Sequence, residues 1–290
     1  EVIELIGDSE VLIAGTEPIT VAVMEAAPNL RLISRVGVGL DNVDLTEAKT
    51  RGIKVSYTPN APAPAVADLS IGLILSLLRN IHSSNLQIRS GLWQRTVGRR
   101  LATVTVGIIG VGRIGRRVTE SLSRLGTRKI LVNDLVESQL APVSVFTQSV
   151  SKEEIYRESD VISIHVPMTH ETHNMIGLAQ LNQMKSDALL VNTARGAVIN
   201  EKDLRNVLMA GHLGGVALDV FADEPYHGDL ISVERCLLTS HIGSMSRDCR
   251  EDMESEATLE AIRFLVGDPL QNQVPEYEYE RQQVALGPIA

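Results

Sequence analysis

Three stretches place a reactive side chain just past an apolar run. "LLVNTARG" carries Arg195, "GVALDVFADEP" carries Asp219 and then Glu224, and "CLLTSHIGS" carries His241. A guanidinium, a carboxylate and an imidazole together suit hydride transfer to or from a secondary alcohol. The hydroxyl proton must move as the hydride does, and histidine exchanges protons near neutral pH. A carboxylate on the far ring nitrogen, supplied by Glu224, fixes the tautomer and favours the charged ring. Arg195 offers a fork of donors to the carbonyl and a neighbouring carboxylate. Taken singly, each residue has a plainer reading: a structural histidine, an arginine in a salt bridge. The chemical reading rests on all three standing at strand ends, where α/β sheets bind ligands.

The strands are read from aliphatic runs at 10–15, 30–36, 53–57, 104–110, 129–133, 161–166, 188–192, 215–220 and 236–240. Helical patterns separate most of them. Runs apolar on both faces that alternate with helices predict an α/β fold with doubly wound parallel sheets. Long helical patterns at 63–81 and 248–268 interrupt the alternation. We therefore expect two domains, a discontinuous substrate domain over 1–77 plus 271–290 and a Rossmann domain over 78–270. One continuous sheet is the alternative.

"VTVGIIGVGRIGRRV" holds Gly110, Gly112 and Gly115 in GxGxxG spacing between an expected strand and an expected helix. The next strand runs to Asp134, at the ~20-residue distance of a dinucleotide fingerprint. Gly110 allows the tight turn, Gly112 lets the backbone approach a pyrophosphate, and Gly115 lets helix and strand pack closely. The pyrophosphate would sit at the helix N-terminus. Asp134 would accept the adenine ribose diol and repel a 2′-phosphate, so NAD is expected over NADP. A methyl transferase using a similar turn fits this stretch alone. In the first domain, "SRVGVGLDNVD" is a glycine-bearing turn whose N–H groups can hold a carboxylate, or a plain tight turn.

The 290 residues carry a net charge of -9, which argues against nucleic acid as a partner. No apolar run reaches the ~18 residues of a membrane span. Cys236 and Cys249 form no CxxC pair and the histidines show no zinc spacing, so we expect free thiols, a reducing cytoplasm and no metal. The chain opens without Met and without a basic signal-peptide region, and an upstream piece is expected.

The motifs "VGVGLDNVD", "GIIGVGRIG", "HVPMTHETHNMIG", "VNTARGAVIN", "ALDVFADEP" and "SHIGS" occur in an order that resembles the D-isomer-specific 2-hydroxyacid dehydrogenases over essentially the whole chain. The resemblance implies that Arg195 binds substrate, Glu224 pairs with the histidine, and His241 is the acid/base. It implies that the backbone of Val38 and Gly39 holds the substrate carboxylate. To the glycines and Asp134 it adds Arg113, Ile114, Val166, Pro167, Thr193, Ala194, Asp219, His241 and Gly243 as NAD contacts, with His165–Pro167 forming a floor near the adenine. It also implies a flavodoxin-like substrate domain, a homodimer formed through the NAD-binding domain, and a further strand–helix–strand segment ahead of "EVLIAG".

The glycine turn looks most like the phosphoglycerate dehydrogenase branch, without that branch's regulatory domain. An NAD-binding corepressor-like module is the alternative to an enzyme. A formate-type dehydrogenase would place Gln where Glu224 stands, and a phosphite oxidiser would place Lys where Val38 stands. The loop Ala14-Gly15-Thr16-Glu17 brings one anion and no cation, and only Arg35 lies near the glycine turn. A small or uncharged-tail 2-hydroxy acid is therefore expected over 3-phosphoglycerate.

Overall fold

The computed structural model describes residues 2–136 and 146–285. Chain contacts divide it into two compact units, Glu1–Pro62 with Met245–Ala290, and Ala63–Ser244. The expected limits, 77/78 and 270/271, fall at the far ends of two helices. Each helix packs with the other unit from the one expected. Residue 1 and residues 286–290 of the expected substrate domain lie outside the described residues.

The second unit is a seven-stranded parallel sheet. Its strands are β4 (Thr105–Ile109), β5 (Lys129–Asn133), β6 (Thr147–Ser149), β7 (Val161–Ile164), β8 (Leu189–Asn192), β9 (Gly215–Leu218) and β10 (Cys236–Leu238). They lie in the order β10-β9-β8-β7-β4-β5-β6. The order reverses between β4 and β7, which is the switch point of a Rossmann sheet. Strand residues alternate between two cores. Ile109, Leu131, Ile164 and Leu190 face α7 (Lys152–Glu158) and α9 (Glu201–Met209). Val106, Ile108, Val132 and Val191 face α4 (Pro62–Leu78) and α6 (Arg113–Arg124). Both faces are thus covered, as the apolar runs required. Ala67, Leu73, Ile74 and Leu78 of α4 belong to the second of these cores, so α4 goes with this sheet.

The helical pattern read as 63–81 ends at Leu78. Asn80 takes a left-handed conformation (φ 55°) and α5 (Ile81–Arg89) starts after it. The two helices are bent by 63°. Among the described residues no single helix is long and apolar enough to cross a membrane. The strand β6 was not anticipated: its residues, Thr-Gln-Ser, give no apolar run.

The first unit carries a three-stranded parallel sheet, β1 (Val11–Ala14), β2 (Leu32–Arg35) and β3 (Lys54–Ser56), in that order. One face is apolar. There Ile33 and Val55 pack with residues of α2 (Val21–Glu25), α3 (Leu45–Thr50) and α11 (Glu276–Ala285), among them Val23, Ala48 and Tyr279. The opposite face receives α10 (Arg247–Val266), where Ser34 Oγ donates to the carbonyl of Ala257 at 2.8 Å. A buried carboxylate, Glu260, accepts from the N–H groups of Gln271 and Asn272 and from Arg263. It turns the chain after α10 back to β3, where Tyr57 N–H donates to Asn272 O and Val274 N–H to Val55 O.

Candidate active site

Strands β8, β9 and β10 run parallel in adjacent positions, so the loops after them leave the same end of the sheet. The loop after β10 is pinned by one side chain. Asp219, 1% exposed, accepts from Thr239 Oγ1 at 2.6 Å, from Ile242 N–H at 2.9 Å and from Gly243 N–H at 2.8 Å. Its own carbonyl accepts from His241 N–H at 2.8 Å. These four bonds hold His241 at φ 52°, a region non-glycine residues seldom adopt. His241 Nδ1 then meets Glu224 Oε2 at 2.7 Å. The other oxygen of Glu224 accepts from Phe221 N–H at 2.9 Å, so the carboxylate is oriented by its own turn. Among the described residues no protein group engages His241 Nε2. The side chains are 39% and 35% exposed, which leaves the ring accessible to a small molecule.

Arg195 follows β8. Asn192 shapes its turn by donating to Arg195 O (2.8 Å) and accepting from Ala194 N–H (3.0 Å). One guanidinium nitrogen, Nη1, donates to Ala194 O at 2.7 Å. The next residue explains why this turn and that of Glu224 stay together. A Cβ on Gly196 would stand 1.8 Å from the carbonyl carbon of Phe221, so only glycine lets the two backbones touch.

The glycine turn after β4 has the form a dinucleotide needs. Gly110 adopts φ 92°, and a Cβ there would lie 2.5 Å from His165 O. A Cβ on Gly115 would lie 1.9 Å from Gly110 O. Gly112 has nothing within 4 Å on that side, which leaves open space above the turn. The N–H groups of Gly112 and Ile114 have no protein acceptor among the described residues, and they open helix α6 where an anion is favoured. Asp134 ends β5 and accepts from Val111 N–H (2.6 Å) and Val136 N–H (2.8 Å). These features fit a bound dinucleotide. Arg113 is exposed on the first turn of α6, and Ile114 is partly buried against the core. Val166 packs partly into the core, while Pro167 is exposed and its carbonyl takes the Thr172 hydroxyl at 2.7 Å. The N–H of Gly243 is already taken by Asp219.

In the first unit, Gly37 N–H donates to Thr58 Oγ1 at 2.7 Å and Val36 N–H to Ala14 O at 2.8 Å. The next two N–H groups, of Val38 and Gly39, have no protein acceptor among the described residues. This is the form of an anion nest.

Residues 71–243 match the family model described as "D-isomer specific 2-hydroxyacid dehydrogenase, NAD binding domain". The chain belongs to the D-isomer specific 2-hydroxyacid dehydrogenase family. It is 36% identical over 263 residues to a glyoxylate reductase of Thermococcus litoralis, covering 87% of this chain and 79% of that protein. It is 34% identical over 257 residues to a hydroxypyruvate reductase of Thermotoga maritima, covering 86% and 83%. Among solved structures, a D-lactate dehydrogenase from Aquifex aeolicus complexed with NAD and lactic acid superposes with TM-score 0.85. That pair shares 29% identity over 94% of this chain and 88% of that one.

In this dehydrogenase two features, at Gly196 and Ser70, are not reached by reading strand ends and motifs. A glycine directly after an arginine at a strand end, as Gly196 is, is a cue for close backbone approach. Ser70, on the apolar helix α4, donates to Val66 O at 2.7 Å and contacts Thr193 Oγ1 at 2.8 Å. With the Ser70 proton committed, Thr193 must donate to Ser70, so its oxygen is left to accept. His165 Nε2 bonds to Ser163 Oγ at 2.9 Å, and its Nδ1 is buried without a partner. Desolvation lowers that imidazole to about 3, so the ring is neutral near pH 7.

Proposed function

We propose that the chain is an NAD-dependent oxidoreductase that interconverts small, unphosphorylated 2-keto acids and D-2-hydroxy acids, with glyoxylate and hydroxypyruvate as the reduced substrates. The observation that carries the reading is the 2.7 Å pair of His241 Nδ1 and Glu224 Oε2, set at strand ends of a Rossmann sheet. When bound, the dinucleotide supplies a hydride in reduction and accepts one in oxidation. In the reductive direction the charged His241 gives its Nε2 proton to the carbonyl oxygen of the substrate. Glu224 keeps Nδ1 protonated and the ring aimed throughout. Arg195 binds the substrate anion, and the N–H groups of Val38 and Gly39 hold its carboxylate. Gly112, Ile114 and Thr193 hold the dinucleotide, and Asp134 selects NAD over NADP by meeting the ribose diol with a negative charge.

The position of Arg35 supports an uncharged tail. Its guanidinium, the cation expected nearest the glycine turn, belongs to a residue 7% exposed and donates to Val36 O and Asn42 Oδ1. The relatives named above are a glyoxylate reductase and a hydroxypyruvate reductase, so the expected likeness to the phosphoglycerate dehydrogenase branch is not carried into the substrate reading. We also place a homodimer contact on the NAD-binding unit, at the exposed apolar residues Ile81, Ile88, Trp93 and Val97. Sedimentation of the wild type and of Trp93→Ser tests that contact.

The test of activity is a panel of glyoxylate, hydroxypyruvate, pyruvate and 3-phosphohydroxypyruvate with NADH and with NADPH. Reduction of the first two with NADH is expected. Absence of turnover on the whole panel would replace this reading with that of an NAD-binding module.

A further inference from the structure

We infer that Glu17 is a specificity determinant that turns away substrates carrying a second negative charge; the inference rests on the small-acid reading above. Strands β1 and β2 pair in parallel with Ala14 opposite Arg35. The loops that follow, 15–17 and 36–39, therefore leave the same sheet end side by side, the end where ligands bind. The second loop carries the Val38–Gly39 nest.

Glu17 is folded back and fixed. Its Oε1 accepts from Gly15 N–H at 2.8 Å, and its Oε2 lies 2.8 Å from where a Gly15 Cβ would be. Asn42 ties this loop to the nest. Its Nδ2 donates to Gly15 O at 3.1 Å and Glu17 O at 2.9 Å, and its Oδ1 accepts from Arg35 Nε at 3.1 Å. Arg35 in turn holds Val36 O, inside the glycine turn. The carboxylate of Glu17 thus has a set place beside the nest. A monoanionic 2-keto acid brings one charge, and the nest N–H groups meet it. A phosphorylated tail brings about two more, and the loop that neighbours the nest carries the Glu17 carboxylate, whose repulsion is screened by salt.

The experiment uses the full chain and Glu17→Gln, which keeps the acceptor for Gly15 N–H and removes the charge. The readout is the ratio of kcat/KM for 3-phosphohydroxypyruvate to that for hydroxypyruvate, at low and high salt. The ratio should rise about ten-fold in the variant at low salt, and the gain should shrink as salt is added. An unchanged ratio, with normal hydroxypyruvate reduction, overturns the inference alone. Loss of hydroxypyruvate reduction in the wild type would strike the small-acid reading instead. Binding then decides: calorimetry of 3-phosphoglycerate against glycerate on the NAD-saturated protein should show the same ten-fold shift, and no shift overturns the role of Glu17.

Discussion

The N–H of Gly243 donates to the buried carboxylate of Asp219 at 2.8 Å, two residues after the histidine it steadies. With Thr239 and Ile242 also donating, Asp219 fixes the loop on both sides of His241. Asp219→Asn keeps the shape but turns an NH2 group toward a backbone or hydroxyl donor, at a cost of ~1–3 kcal/mol for unsatisfied groups. The histidine should shift, and kcat should fall by roughly 10². NADH affinity, followed by fluorescence titration, should change much less than kcat. Equal losses in both would assign Asp219 to cofactor binding alone.

His241→Gln removes the proposed proton carrier while leaving the Rossmann turn untouched. Turnover should fall by roughly 10²–10⁴, with NADH binding nearly intact. A variant with wild-type kcat would take His241 out of the mechanism.

Gly196→Ala tests the contact between two turns. The new methyl carbon would overlap the Phe221 carbonyl carbon, 1.8 Å away, and the three nearest atoms are all backbone. Overpacking of this kind costs ~1–3 kcal/mol or more. Thermal unfolding should show a lower Tm, and activity should fall further than stability because Arg195 and Glu224 flank the contact. An unchanged Tm would mean that the two turns are not in register.

For Asp134→Ala, the relative affinity for NADPH over NADH should rise, because a 2′-phosphate no longer meets a carboxylate. Wild-type protein that already prefers NADPH contradicts the assignment.

Acid sensitivity can be traced to His165. Its folded pKa is about 3 against 6.5 for the free group. Between those values the unfolded chain binds the extra proton, so stability rises with pH across the window and its His165 share is complete above it. Urea midpoints of wild type and His165→Gln, compared at pH 7 and pH 4.5, should show the wild type losing more on acidification. A difference that is independent of pH would mean that the ring is solvated.

The parts of the fold that were legible in the sequence are those where one segment carries its own signal. The buried strands β4, β7, β8 and β9 are apolar on both sides, and the GxGxxG turn is local. Arg195, Glu224 and His241 were visible because polar residues at the ends of such strands stand out. The edge strand β6 is short and polar, so it lacked that signal. Asn80 ends α4 through a backbone conformation that no apolar period reports. Pairings between distant segments were hidden for a different reason. Glu260 in a charged helix reads as solvent-facing, yet it is 0% exposed because the chain returns over it.

That return has a consequence for β3. A parallel sheet that stops at a strand leaves a row of unpaired N–H and C=O groups, which can recruit strands from other molecules. Here Gln273 bridges antiparallel to Ser56, with Tyr57 N–H and Val55 O engaged on either side. The covering segment is irregular and contains Pro275, so it offers no regular ladder outward. The carboxylate of Glu260, by holding Gln271 and Asn272, acts as a guard against aggregation on that side of the sheet.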